Sequence, residues 1–129
     1  MSFNPKKPFI HLNAHSTYSL LDGMMPIKKL AAWAHDNNMP ALGVTDTNNM
    51  FGAIDMSFAF KAAGIQPIFG TQLGVRRPDQ EGFLKDAGRL TFHVQNEEGW
   101  RNICVLISKA YIDKDPAELA NISLDMLKA

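Results

Sequence analysis

The run PIKKLAAWAHDNNMPALGVTDTNN, Pro26 to Asn49, decides the fold class. Ile27, Leu30, Ala31 and Ala34 recur at i, i+3, i+4 and i+7 behind Pro26, a residue whose fixed φ suits the first turn of a helix. Lys28, Lys29 and Asp36 fall off that stripe, so the spacing predicts an amphipathic helix from about Pro26 to Asn37. Asn37 and Asn38 can close it in the left-handed conformation, and Pro40 forbids its continuation. Ala41-Leu42-Gly43-Val44-Thr45 then reads as a short strand buried on both faces. Asp46-Thr47-Asn48-Asn49 follows as a polar turn with capping residues, ready to start another helix.

Working outward, Pro8 to His15 is compact and apolar enough for a buried strand, ending in the polar run from His15 to Ser19. On the other side, Phe51, Ile54, Phe58 and Ala62 mark one face of a second helix closed by Gly64. Ile65 to Val75 supplies a third extended segment, broken by Gly70. These units make up residues 8–75. Residues 76–88 carry Pro78, two glycines and six charges without an apolar period, which predicts an exposed loop or hairpin connection. Residues 89–112 hold a strand around Leu90 to Gln95 and a helix capped by Asn96, with Glu97 and Glu98 in its first turn and a stripe of Trp100, Ile103, Cys104 and Ile107. Residues 113–129 form a polar linker, a short helical segment from Pro116, and the start of a further helix capped by Ser123.

Strands alternating with helices at this spacing place the chain in the α/β class, with a mainly parallel sheet. About four units are visible, too few to close a barrel of seven or eight strands. The expectation is therefore one portion of a single domain, with part of its core open to solvent and prone to self-association.

Bulk composition narrows the function. Of 129 residues, 46% are hydrophobic and 20% charged, enough for one core. Thirteen Lys and Arg balance thirteen Asp and Glu, so no basic field gathers nucleic-acid phosphates, and strong autonomous DNA binding is not expected. Cys104 is the single cysteine, without a disulfide partner or a CxxC motif, and is expected to be a small buried hydrophobe in a reducing compartment. No apolar run approaches the roughly 18 residues of a membrane span and the first residues lack a secretory apolar segment, so the expected location is cytoplasmic and off the membrane.

In parallel α/β folds, reactive groups gather at the carboxyl ends of strands. Here those ends carry His15-Ser16, Thr45-Asp46-Thr47 and Gly70-Thr71-Gln72, which would form one site if they converge. Asp46 could serve as an acid or base, but its position also suits a capping carboxylate, and that structural task is the expected one. Tyr18, Ser19 and Asp22-Gly23 read as a polar turn, while His11, His35 and His93 read as ordinary surface or core histidines.

Several of these segments also carry a resemblance. His11-Leu12-Asn13-Ala14-His15-Ser16, Tyr18-Ser19-Leu20-Leu21-Asp22-Gly23, Val44-Thr45-Asp46-Thr47-Asn48-Asn49-Met50-Phe51-Gly52 and Ala63-Gly64-Ile65-Gln66-Pro67-Ile68-Phe69-Gly70 stand in the order of a known domain. So do Asn96-Glu97-Glu98-Gly99-Trp100-Arg101-Asn102-Ile103 and Ser108-Lys109-Ala110-Tyr111. Together they resemble the start of the polymerase and histidinol phosphatase (PHP) domain of bacterial DNA polymerase III alpha subunits, over most of residues 8–112. The resemblance implies the first part of a distorted (β/α)7-like barrel at the amino terminus of a large DNA-directed DNA polymerase, a nucleotidyltransferase whose catalytic carboxylates lie beyond this chain. It implies as partners the remainder of the alpha subunit, a proofreading exonuclease subunit and other replisome subunits, with DNA bound by the parent and weakly or not at all by this portion.

Metal-bearing members of the family hold divalent Mn, Zn or Mg through His, Asp and Glu at the strand ends and hydrolyse phosphoesters. The family pattern His-x-His falls on Asn13 and His15, Thr-Asp-His-Gly falls on Thr45-Asp46-Thr47-Asn48, and a Glu that often follows the third strand's Gly falls on Gln72. Asn13, Thr47 and Gln72 are thus degenerate ligand positions, whereas His15 and Asp22 match liganding positions and Asp46 would support them. The resemblance therefore implies a metal-poor structural and interaction module with no bound cofactor. Two alternatives remain open, namely an active metal-dependent phosphoesterase or 3′-5′ exonuclease and a stand-alone small α/β binding protein.

Overall fold

A computed structural model describes residues 8–79 and 88–128 of the chain. Helix α1 spans Ile27–Asp36 with Pro26 at its N-cap, and Ile27, Leu30, Ala31 and Ala34 are all buried, the stripe the 3.6-residue period predicts. Asn38 takes a φ of 54° just beyond the helix, an asparagine serving where the chain must turn left-handed. Strand β1, Ala41–Thr47, follows and is buried over its first six residues.

Helix α2, Ala53–Ala63, closes at Gly64 with φ 70°, but its apolar face is not the one expected. Met56 and Phe60 point into the core, while Phe51, Ile54 and Phe58 are exposed. The helix sequence AIDMSFAFKAA is apolar most of the way round, so its period alone could not choose between two faces, and packing against α1 chose the other. Strand β2, Gln66–Arg76, runs through Gly70 without a break. Gly70 lies beneath β1 and strand β3, Gly88–His93, so closely that an added Cβ would stand 2.8 Å from the Thr45 Cγ2. That glycine marks close approach of neighbours rather than a strand end.

β2 pairs in parallel with β1 and in parallel with the short strand β4, Asn121–Ser123, while β3 returns antiparallel to β2. The four strands thus form one mixed sheet that does not close on itself, and the 76–88 connection is a hairpin link whose residues 80–87 lie outside the described residues. The segment before α1 departs from the expected buried strand. Residues 11–14 exchange backbone hydrogen bonds with β1 and bridge it at Ala14–Val44, but with a single neighbour, and Phe9 and Leu12 stay exposed. Helix α3, Glu97–Ile112, is capped by the Asn96 side chain, which accepts from the Gly99 N–H at 2.8 Å. It packs through Ile103, Leu106, Ile107 and Ala110, with Trp100 edge-on to Phe69. Cys104 is exposed, against the expectation of burial, because the packed face lies one position round from the predicted stripe. Ser123 ends β4 and makes no side-chain cap, and the segment after it is a single 3-10 turn, Leu124–Leu127. No helical segment forms from Pro116, where the chain instead makes a turn tied by Asp115 to the Ala117 N–H.

Alternation along the paired strands gives the sheet two characters. Leu42, Val44, Phe69, Leu73 and Val75 face the helices and belong to two core clusters, one against α1 and α2 and one against α3 and β4. On the opposite face the same register aligns Thr45, Thr47, Gly70, Gln72 and Gly74 with Arg89, Thr91 and His93. The candidate site takes in this polar face and the carboxyl end of β1, where Asp46 lies with Val44 toward the helix side.

Candidate functional site

Asp46 organises the site from the carboxyl end of β1. Its carboxylate is 3% exposed and accepts three hydrogen bonds of 2.7 Å: from the Ser16 N–H and the Ser19 Oγ on Oδ1, and from the Ser16 Oγ on Oδ2. A buried charge is tolerable only when so partnered. The Asp46 carboxylate does not cap the following turn, the task expected of it; its partners are in a loop 27 to 30 residues earlier. That turn is held instead by Asn49, whose Oδ1 accepts from the Phe51 N–H and whose amide donates to the Tyr18 and Thr47 carbonyls.

Ser19 passes the organisation on. Its hydroxyl hydrogen goes to Asp46, and its oxygen accepts from the Thr47 N–H at 2.9 Å, so the 3.2 Å contact with His15 Nδ1 requires that nitrogen to be the donor. The ring's other nitrogen, Nε2, has no hydrogen-bond partner among the described residues. Nearby, Tyr18 donates its phenol to Asp55 at 2.7 Å, and this hydrogen bond, followed by the Asp55 charge, raises the Tyr18 pKa above its ordinary value.

The three strand ends do converge. Asn13 Oδ1 accepts from Thr45 Oγ1 at 2.6 Å and from Gln72 Nε2 at 3.1 Å, and Gln72 Nε2 also donates to Thr91 Oγ1 at 3.1 Å. Thr47 Oγ1 lies 3.4 Å from Asp22 Oδ2, and Arg89 Nη1 donates to the same carboxylate oxygen at 2.8 Å. His93 reaches the Leu12 carbonyl at 2.7 Å and ties β3 to the segment beside β1. Hence Asn13, Gln72 and Thr45 meet directly, Asp22 meets Thr47, and His15 joins Asp46 through Ser19. Sequence reading missed Arg89 and Thr91. The signal was present as Arg89, Thr91 and His93 at every second position, a polar strand face that directs three side chains at one site.

A model of the PHP domain matches residues 11–129. The chain belongs to the PHP family. Within this family it is similar to "DNA polymerase III subunit alpha" of Pseudomonas fluorescens, 40% identical over 105 residues that make up 81% of this chain and 9% of that protein. The same subunit from Helicobacter pylori strain 26695 is 39% identical over 109 residues, and that of Chlamydia muridarum 41% over 110, covering 83% and 81% of this chain and 9% of each relative. The PHP chain thus spans less than a tenth of the length of these relatives. Among solved structures it is similar to a Bifidobacterium adolescentis protein provisionally described as a metal-dependent phosphoesterase, with TM-score 0.59 and 15% identity, covering 81% of this chain and 34% of that one. At that identity the likeness is one of fold, and it fits a PHP barrel of which only an open sheet is present here.

PHP relatives of this kind make metal the first question for the site, and the donors present do not fit it. Among the described residues no group of three or more His, Cys, Asp and Glu side chains could hold an ion. Asn13 Oδ1 already accepts twice, Gln72 turns its amide nitrogen inward, and the Asp46 oxygens are committed to Ser16 and Ser19. Asp22 faces a guanidinium. The His15 Nε2 is left as one good donor without a set around it. A cleft of about 520 Å³ lies to one side, bounded by Phe92, Ile103, Leu106 and Leu127, and of these site residues His93 alone lines it.

Proposed function

We propose that the chain is the first part of a PHP domain in the alpha subunit of a bacterial replicative DNA polymerase, where it acts as a metal-poor structural and interaction module and not as a phosphoesterase. The observation that carries this reading is the closed polar network: Asn13, Gln72, Asp46 and Asp22, four of the positions where ligands or their support would stand, are all engaged by neighbouring side chains. Similarity to polymerase alpha subunits at about 40% identity supports the parent assignment. On this reading the partners are the remainder of the alpha subunit and, through it, a proofreading exonuclease subunit. DNA contact falls to other parts of the parent, since the chain's charge balances at zero. A replicative polymerase acts in the cytoplasm, and among the described residues no helix is long and apolar enough to cross a membrane.

The deciding experiment is elemental analysis of protein purified without chelator or affinity-tag metal, alongside His15→Ala. Near-zero Mn, Zn and Mg in both is the expected result. Two or three ions per chain, lost on His15→Ala, would restore the metal-dependent phosphoesterase and remove the structural reading.

A further inference from the structure

Asp22 differs from Asp46 in being open to water. Its side chain is 42% exposed, at the tip of a loop that hydrogen bonds hold from Ser16 to Gly23, and its Oδ2 faces Thr47 on β1. A carboxylate placed between strand ends is where a PHP metal would draw its charge compensation. In this chain the compensation comes from Arg89 Nη1 at 2.8 Å, a side chain arriving from the far strand of the sheet. The register explains the reach: Arg89 stands opposite Gly74 on β2, which has no side chain to obstruct a guanidinium crossing toward Thr47 and Asp22. A sequence comparison of ligand positions alone would not find it, because Arg89 replaces no ligand and adds a charge.

We propose that Arg89 is a built-in cation of the site, doing for Asp22 the electrostatic work of a divalent ion and thereby keeping such ions out. This rests on the metal-poor reading above and gives it a cause beyond the lost ligands. An ion approaching Asp22 meets a fixed positive charge on the same oxygen, and like charges at this range repel. Arginine suits the task because it stays charged at every accessible pH and forks to carboxylates, whereas a histidine or lysine could give up its proton. The pair is nearly half exposed, so its contribution lies in charge compensation and exclusion and little in stability.

The test is Mn2+ binding to the 129-residue chain, read from the electron paramagnetic resonance signal of the free ion. It compares wild type, Arg89→Met, Arg89→Gln, Arg89→Lys and the double variant Arg89→Met/Asp22→Asn. The neutral variants should bind Mn2+ about 10- to 100-fold more tightly than wild type, the range that groups bordering a metal site control. Arg89→Lys should stay with wild type, and adding Asp22→Asn should abolish the gain. Arg89→Gln retains a donor for Asp22 and serves if Arg89→Met fails to fold. Equal, weak binding by wild type and a folded neutral variant overturns the role of Arg89 while leaving the metal-poor reading intact. Tight stoichiometric binding by wild type overturns both.

Discussion

Replacing Asp46 probes the whole site, because among the described residues its carboxylate is the only acceptor for three buried donors. Asp46→Ala would leave the Ser16 N–H, the Ser16 Oγ and the Ser19 Oγ buried without that partner; both serines are fully buried. An unsatisfied buried donor costs roughly 1–3 kcal/mol, so three of them cost about 4 kcal/mol once partial loop opening is allowed for. That is a large share of the ~5–15 kcal/mol that holds a domain together. Asp46→Asn keeps the shape and one acceptor oxygen. Its amide nitrogen replaces Oδ2, and the Ser16 hydroxyl must turn to accept, so the loss is about 1–2 kcal/mol from weaker, uncharged hydrogen bonds. Urea unfolding of wild type, Asp46→Asn and Asp46→Ala, with amide exchange at Ser16, Ser19 and Thr47, checks the ladder. The amide of Thr47 is the informative one, since it donates to Ser19 Oγ and should lose protection with Asp46 although it never touches the carboxylate. A cost below about 0.5 kcal/mol for Asp46→Ala, the size of an ordinary surface substitution, would refute the view that this carboxylate holds the 16–19 loop.

Two further outcomes follow from the structure. Phe58→Ala on the exposed side of α2 should change stability by no more than about 0.5 kcal/mol, whereas Phe60→Ala, fully buried, should cost roughly 3–5 kcal/mol; denaturant titration showing the opposite order would return the helix to its other face. The Tyr18–Asp55 hydrogen bond raises the phenol pKa from its ordinary value of 10.0, so the folded chain binds that proton more tightly than the unfolded one. Its contribution is whole below pH 10 and is lost as pH rises through the folded value, so urea midpoints of wild type should fall more steeply than those of Tyr18→Phe as pH rises above 10.

What the sequence disclosed was whatever local spacing decides. The α1 stripe of Ile27, Leu30, Ala31 and Ala34, the left-handed Asn38, the Gly64 stop and the Asn96 cap are set by near neighbours, and each stands where the pattern puts it. Choices made by distant partners were not legible. In α2 two apolar faces compete, and only packing selects Met56 and Phe60. A strand does not encode its own direction, so the antiparallel return of β3 could not be read from Leu90 to Gln95. The burial expected for Pro8 to His15 needs a neighbour on each edge, and the segment has β1 alone. At the site, His15, Asp22, Asn13, Thr47, Gln72 and Asp46 were found as positions, and their convergence was a guess from strand ends that the paired register makes concrete. The identity of the Asp46 partners and the arrival of Arg89 depend on contacts 27 to 67 residues apart, beyond any window of periodicity.

Two of the three expected departures from the family's ligand pattern, Asn13 and Gln72, make physical sense as a pair. Thr45, Asn13, Gln72 and Thr91 form a chain of neutral hydrogen bonds that runs from β1 to the flanking 11–14 segment, across to β2 and on to β3. An imidazole at position 13 or a carboxylate at position 72 would break this chain. The first would remove the amide oxygen that accepts from two neighbours. The second would put a negative charge where a donor now stands, next to an oxygen that only accepts. Either change made alone removes hydrogen bonds from this network, whereas the residues present leave no buried side-chain nitrogen or oxygen unpaired among the described residues. A reversion at either position alone is expected to lose these hydrogen bonds, so a fuller set of ligands on these strands would require changing Asn13 and Gln72 together.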